Sequence, residues 1–198
     1  QYGLMALCDT EEYDRNLIKK HELTRPDKEQ DRTDHIDIME AQTGLVFLSY
    51  RDLQSDLQAL MTELKGLDAD WVVGTDDDVE HALTVISDPG LVARLEHGFE
   101  GVEALYIADG HHRSAAASRV AKQWKGEGTS RFFMAGIFAD SELKVLPYNR
   151  VVHDLNGHSV EEFSTLVAEK FTVTKTDYPA PEKRGTMMMY LEEQWFLL

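Results

Sequence analysis

"LYIADGHHRSAAASRVAKQW", residues 105–124, sets an apolar run, a tight turn and a small-residue helix in succession. The segment "VEALYIADG" reads as a strand and residues 111–125 as an Ala-rich helix, whose Ala and Ser spacing allows close packing against a sheet. At the junction stand Asp109, Gly110, His111, His112 and Arg113. The first N–H groups of a helix have no partners within it, and the aligned peptide dipoles add partial positive charge there. A helix starting at or just after Gly110 therefore presents an anion site. Gly110 lets the backbone turn tightly and approach a ligand. Arg113 can hold phosphate oxygens in pairs, and either histidine can donate a hydrogen bond or shuttle a proton. Asp109, at the end of the strand, suits a metal ion or the orientation of a hydroxyl. A simpler account makes Asp109 the helix cap and the three basic residues a solvated turn. Cations at a helix start oppose the dipole, however, and make sense if an anion sits among them.

Composition narrows the classes. The chain has 198 residues, 42% hydrophobic and 28% charged, as in ordinary globular proteins. It begins with Gln and ends on "WFLL", which reads as a piece of a longer protein. Residues 1–150 are expected to form the core and 151–198 a C-terminal extension of helix plus hairpin. A net charge of −16 argues against general affinity for DNA, yet leaves room for a local basic pocket. The single cysteine, Cys8, excludes an internal disulfide and is expected as a buried small residue at a strand end. No apolar run reaches the length of about 18 residues that a membrane span needs, and no secretory signal is visible. A cytoplasmic location without membrane contact is expected.

Along the chain, "YGLMALCDT" reads as a strand and Leu17–Ile18 as part of a brief second one. A helix is predicted from Pro26, with the proline in its first turn. "GLVFLSY" (44–50) is a buried strand and "SDLQALMTELKG" (55–66) a helix stopped by glycine. "DWVVGTDDDVEHALTVI" reads as two strands around an exposed acidic turn, Asp76–Asp78 being ill placed to share a metal. Residues 88–98 form a short capped helix. "RFFMAGIFAD" is a strand, "LKVLPYNRVVHDL" a further one, "SVEEFSTLVAEKF" a helix with a capping box, and "TMMMYLEEQWFLL" a hairpin. The three tryptophans and the Met187–Met189 run are expected in the core or under a covered edge. His153 and His158 are expected at the surface, and Arg150 either contacts phosphate or pairs with an acid. Strands and helices mix without strict alternation, which predicts an α+β or mixed-sheet α/β fold.

"YIADGHHR", with "IKKHELTRPDKEQDR", "TGLVFLSYRD" and "LPYNRVVHDLNGHSVEEF", resembles the DUF1015 family across nearly the whole chain. That family is similar to the ParB/sulfiredoxin superfamily, which includes free serine kinases. The resemblance implies a ParB/sulfiredoxin-like core and nucleotide phosphates bound by Gly110, His111, His112 and Arg113. It implies ATP or ADP, or else CTP, as ligand, with Mg²⁺ at Asp109. The kinases have Asp-Gly-His-Lys-Arg where this chain has His112 in the lysine position. Sulfiredoxin chemistry needs a cysteine in the motif, and none stands there. By order and local pattern, Glu22 in "HELT" matches the kinases' base, with His21 or Arg25 supplying charge beside it. Glu22, Asp109 and His111 are thus the implied catalytic set, with a small hydroxyl compound as acceptor. The alternative is a ParB-like regulatory or partition module that binds nucleotide without transfer. "HE" without a second histidine four positions on is no zinc-protease motif.

Overall fold

A computed structural model describes residues 1–198. The chain divides into two compact units, Gln1–Lys144 and Val145–Leu198. The first unit is built on a mixed five-stranded sheet. Its strands are β1 (Leu4–Asp9), β2 (Ile18–Lys19), β3 (Val46–Tyr50), β6 (Leu105–Asp109) and β7 (Phe132–Ala139), with β4 (Trp71–Gly74) and β5 (Glu80–Leu83) forming a separate hairpin. The order across the sheet is β1-β7-β3-β6-β2. The pairs β1/β7 and β3/β6 are antiparallel, whereas β7/β3 and β6/β2 are parallel.

Alternation along the strands decides which face is covered. On one face Cys8, Val46, Leu48, Tyr50, Ile107, Phe133, Ala135 and Ile137 are buried, and Ile18 joins them in the core. Helix α5 (His111–Gln123) lies against this core through Ala115 and Ala117, and Ser114, Ala116, Ser118, Val120 and Ala121 are buried along it. Its small side chains bring the helix close, so the Ala-rich stretch is packing surface as well as helix former. The opposite sheet face carries Met5, Leu7, Tyr106 and Met134, all exposed, and so remains apolar and open.

Helices α1 (Thr10–Asp14) and α2 (Pro26–Met39) pack on α5, and α3 (Ser55–Leu64) packs on α4 (Pro89–Glu100). The α2/α5 seam is largely polar. Arg119 bonds Glu29 at 3.3 Å and Gln30 at 2.6 Å, and the Trp124 indole donates to Asp37 at 2.7 Å. Leu57 of α3 is fully buried, and Phe99 at the end of α4 meets Tyr50 edge-on at 5.3 Å. Cys8 is buried beside the last residue of β1, as expected.

The second unit contains α6 (Val160–Ala168) and an antiparallel sheet in the order β8-β10-β9, from β8 (Thr174–Thr176), β9 (Met188–Leu191) and β10 (Gln194–Leu197). Ser159 and Glu162 form the capping box in both directions. Glu192 and Glu193 make the β9–β10 turn with positive φ.

Two expectations are corrected. "LKVLPYNRVVHDL" forms no strand: Val145, Leu146, Tyr148, Val151 and Val152 are all exposed, so its apolar residues have no sheet face to enter. Trp71 is 58% exposed on the two-stranded β4–β5 hairpin, all of whose residues are exposed, and Met187 is exposed too. The fold is a mixed α/β architecture with six helices, which agrees with the mixed-sheet expectation.

Candidate functional site

Sheet topology explains why distant segments meet. Strands β2 and β6 run parallel, with Ile18 opposite Leu105 and Lys19 opposite Tyr106. Three residues past Lys19 lies Glu22, and three past Tyr106 lies Asp109, so both leave the same end of the sheet. Strand β3 runs the other way, placing Phe47 opposite Asp109 and the chain from Gln42 to Gly44 at that end too. A cavity of about 600 Å³ opens there. Glu22, Asp109, Gly110, His111, His112 and Arg113 all line it, so the implied catalytic and phosphate-binding residues share one space.

Gly110 begins α5 in a left-handed conformation, φ +99°, which glycine alone adopts freely. No side chain caps the helix. Asp109 is therefore not the cap that the simpler account made it. Its carboxylate instead accepts from the Arg113 guanidinium at 2.7 Å, while remaining 72% exposed. Arg113 passes directly over the glycine: a Cβ at Gly110 would stand 3.0 Å from Nη2 and 3.2 Å from Nε. A Cβ at Gly44 would stand 3.3 Å from its Cδ. Two glycines thus frame the arginine, whose Nε is buried without a partner.

His111 is 5% exposed and its Nε2 has no hydrogen-bond partner. Its Nδ1 lies 3.7 Å from the Glu22 carboxylate, and the His21 ring meets it edge-on at 4.5 Å. Burial pushes the imidazole below its ordinary pKa, and His21 pushes the same way, against the pull of Glu22 and Asp109. The ring is neutral near pH 7. His112 Nε2 accepts the Arg25 backbone N–H at 3.1 Å, tying the loop before α2 to the start of α5. The Arg25 guanidinium itself turns to Asp27, at 2.8 Å.

Other predicted residues lie elsewhere. Asp76, Asp77 and Asp78 sit exposed in the β4–β5 turn, with Thr75 bonded to Asp77. Arg150, in the second unit, stacks on the Tyr148 ring at 3.8 Å and makes no ion pair. His153 and His158 are exposed. Sequence reading passed over Lys28, Arg32 and His35, which line the cavity from α2. Their spacing of four and three residues carried the signal, since it puts all three on one helix face.

The first unit is thus a mixed α/β domain with a basic, glycine-framed cavity at a strand-to-helix junction. Residues 1–198 match the family described as "Protein of unknown function (DUF1015)", and the chain belongs to that family. No curated protein and no solved structure matches it.

Proposed function

We propose that the chain is a nucleotide-dependent phosphotransferase with a ParB/sulfiredoxin-like core, acting on a small hydroxyl compound. One observation carries this reading: Glu22 stands beside a buried histidine that has an unpartnered nitrogen, in the cavity onto which the uncapped start of α5 opens. The buried Nε–H of Arg113 is a donor without an acceptor in the same cavity, and phosphate oxygens supply several. The backbone N–H groups of the first turn of α5, with Arg113 and His112, hold the phosphates of ATP, ADP or CTP. The cavity's volume suits a ligand of nucleotide size.

Glu22 takes the proton of the acceptor hydroxyl while its oxygen forms a bond to the terminal phosphorus. The bond from that phosphorus to the bridging oxygen breaks, and the electron pair leaves with the shortened nucleotide. His111, neutral and held beside Glu22, donates to or accepts from the transferring group without adding charge. Mg²⁺ would be held by phosphate oxygens together with the Asp109 carboxylate, which accepts from Arg113 yet stays 72% exposed. The ion, when bound, would neutralise the phosphate charge that builds during transfer.

Calorimetric titration with ATP, ADP and CTP, with and without Mg²⁺, tests the reading. Micromolar binding of at least one nucleotide is expected. Arg113→Gln is expected to weaken it about tenfold to a hundredfold, the size of one lost charge-assisted contact. Glu22→Gln is expected to keep binding and to lower turnover about a hundredfold or more. Absence of heat with every nucleotide overturns the proposal.

A further inference from the structure

Over the whole chain acids outnumber Lys and Arg by 36 to 20. Around the cavity the balance reverses: Arg25, Lys28, Arg32 and Arg113 face only Glu22 and Asp109. Two of those cations are already engaged, Arg113 by Asp109 at 2.7 Å and Arg25 by Asp27 at 2.8 Å. The Lys28 ammonium has no ion pair or hydrogen bond, and the Arg32 guanidinium has only an exposed contact of 3.7 Å with its neighbour Asp31. Lys28 and Arg32 therefore form a cationic face of α2, with His35 beside them, looking onto the cavity from a different element than the start of α5. Gathering such charges costs self-repulsion unless an anion joins them. The unpartnered Nε2 of His111, buried in the same cavity wall, separately calls for a ligand.

We infer that the cavity holds a second anion subsite, built by Lys28 and Arg32 with His35 beside them. Its ligand then carries anionic groups at two places, one at the start of α5 and one on α2. The second anion is either a further phosphate of the same polyphosphate chain or the carboxylate of a hydroxy-acid acceptor. This rests on the proposed phosphate binding by α5 and adds the substrate class to it: acceptors or donors with one anionic group bind weakly.

Calorimetric titrations of the full chain separate these cases, comparing wild type, Arg113→Gln and the double variant Lys28→Gln/Arg32→Gln. The probes are inorganic phosphate, tripolyphosphate, and glycerate added to phosphate-saturated protein. Both replaced side chains are exposed, so the double variant keeps the fold, and far-UV circular dichroism checks that. Wild type is expected to bind tripolyphosphate about tenfold or more tightly than phosphate. Loss of that advantage in the double variant, with phosphate binding intact, supports the subsite and assigns it to the phosphate chain. Loss of glycerate binding with tripolyphosphate unaffected supports it and assigns it to the acceptor carboxylate. If the double variant keeps both, the subsite is overturned, while loss of phosphate in Arg113→Gln leaves the α5 reading standing. If wild type binds none of the probes, both fall.

Discussion

Gly110 shows what a single residue contributes. Its φ of +99° and the guanidinium 3.0 Å from where a Cβ would stand make it both hinge and floor of the cavity. Gly110→Ala is expected to destabilise the chain by about 1–3 kcal/mol through backbone strain, and to displace Arg113 so that nucleotide binding is lost; urea denaturation and calorimetry read the two effects. His111 gives a prediction in pH. Because burial lowers its pKa below the ordinary value of 6.5, the unfolded chain binds the proton more readily than the folded one. Stability is then full above about pH 6.5 and declines as pH falls from there through the lowered pKa. Urea midpoints between pH 5 and 8 should show this slope, and His111→Gln should flatten it. At this scale the sequence was informative, since the acid, glycine and basic residues at 109–113 are contiguous. The pairing of Arg113 with Asp109 was not legible, because the same pattern fits a capping aspartate until the φ of Gly110 is known.

Elements were legible where one physical pattern dominated. The Pro26 start of α2, the capping box of α6 and the β9–β10 hairpin all follow from local chemistry. The stretch 143–155 misled because its apolar residues predict a strand only if a sheet edge receives them, and none does. The cationic face of α2 was missed for a related reason. In "RPDKEQDRTDHI" acids and bases interleave, and only the helical period separates the cavity-facing bases from the α5-facing Glu29. Helix α5 yields a packing test. Ala116 is fully buried, so Ala116→Leu is expected to cost about 1–3 kcal/mol by overpacking, whereas the exposed Gln123→Ala should change little; thermal denaturation of both variants checks this.

Over the whole molecule, the site depends on chain order that no local pattern encodes. The parallel pairing of β2 with β6 brings residues 22 and 109 to one end of the sheet, and a sequence reading could align them only by resemblance. The division into Gln1–Lys144 and Val145–Leu198 gives a test of its own. Limited chymotrypsin digestion is expected to cut first near Tyr148, 85% exposed in a stretch without helix or strand, leaving a stable fragment that ends near residue 148; early cleavage within β3 or α5 would contradict that division. The open sheet face with Met5, Leu7, Tyr106 and Met134 has a colloidal consequence. In dilute buffer, copies bearing sixteen surplus negative charges hold one another at a distance, and bare hydrocarbon goes unanswered. Salt shortens the reach of that repulsion to about 3 Å at molar strength. Light scattering from concentrated solutions should therefore climb as salt is added, and Leu7→Lys should blunt the climb.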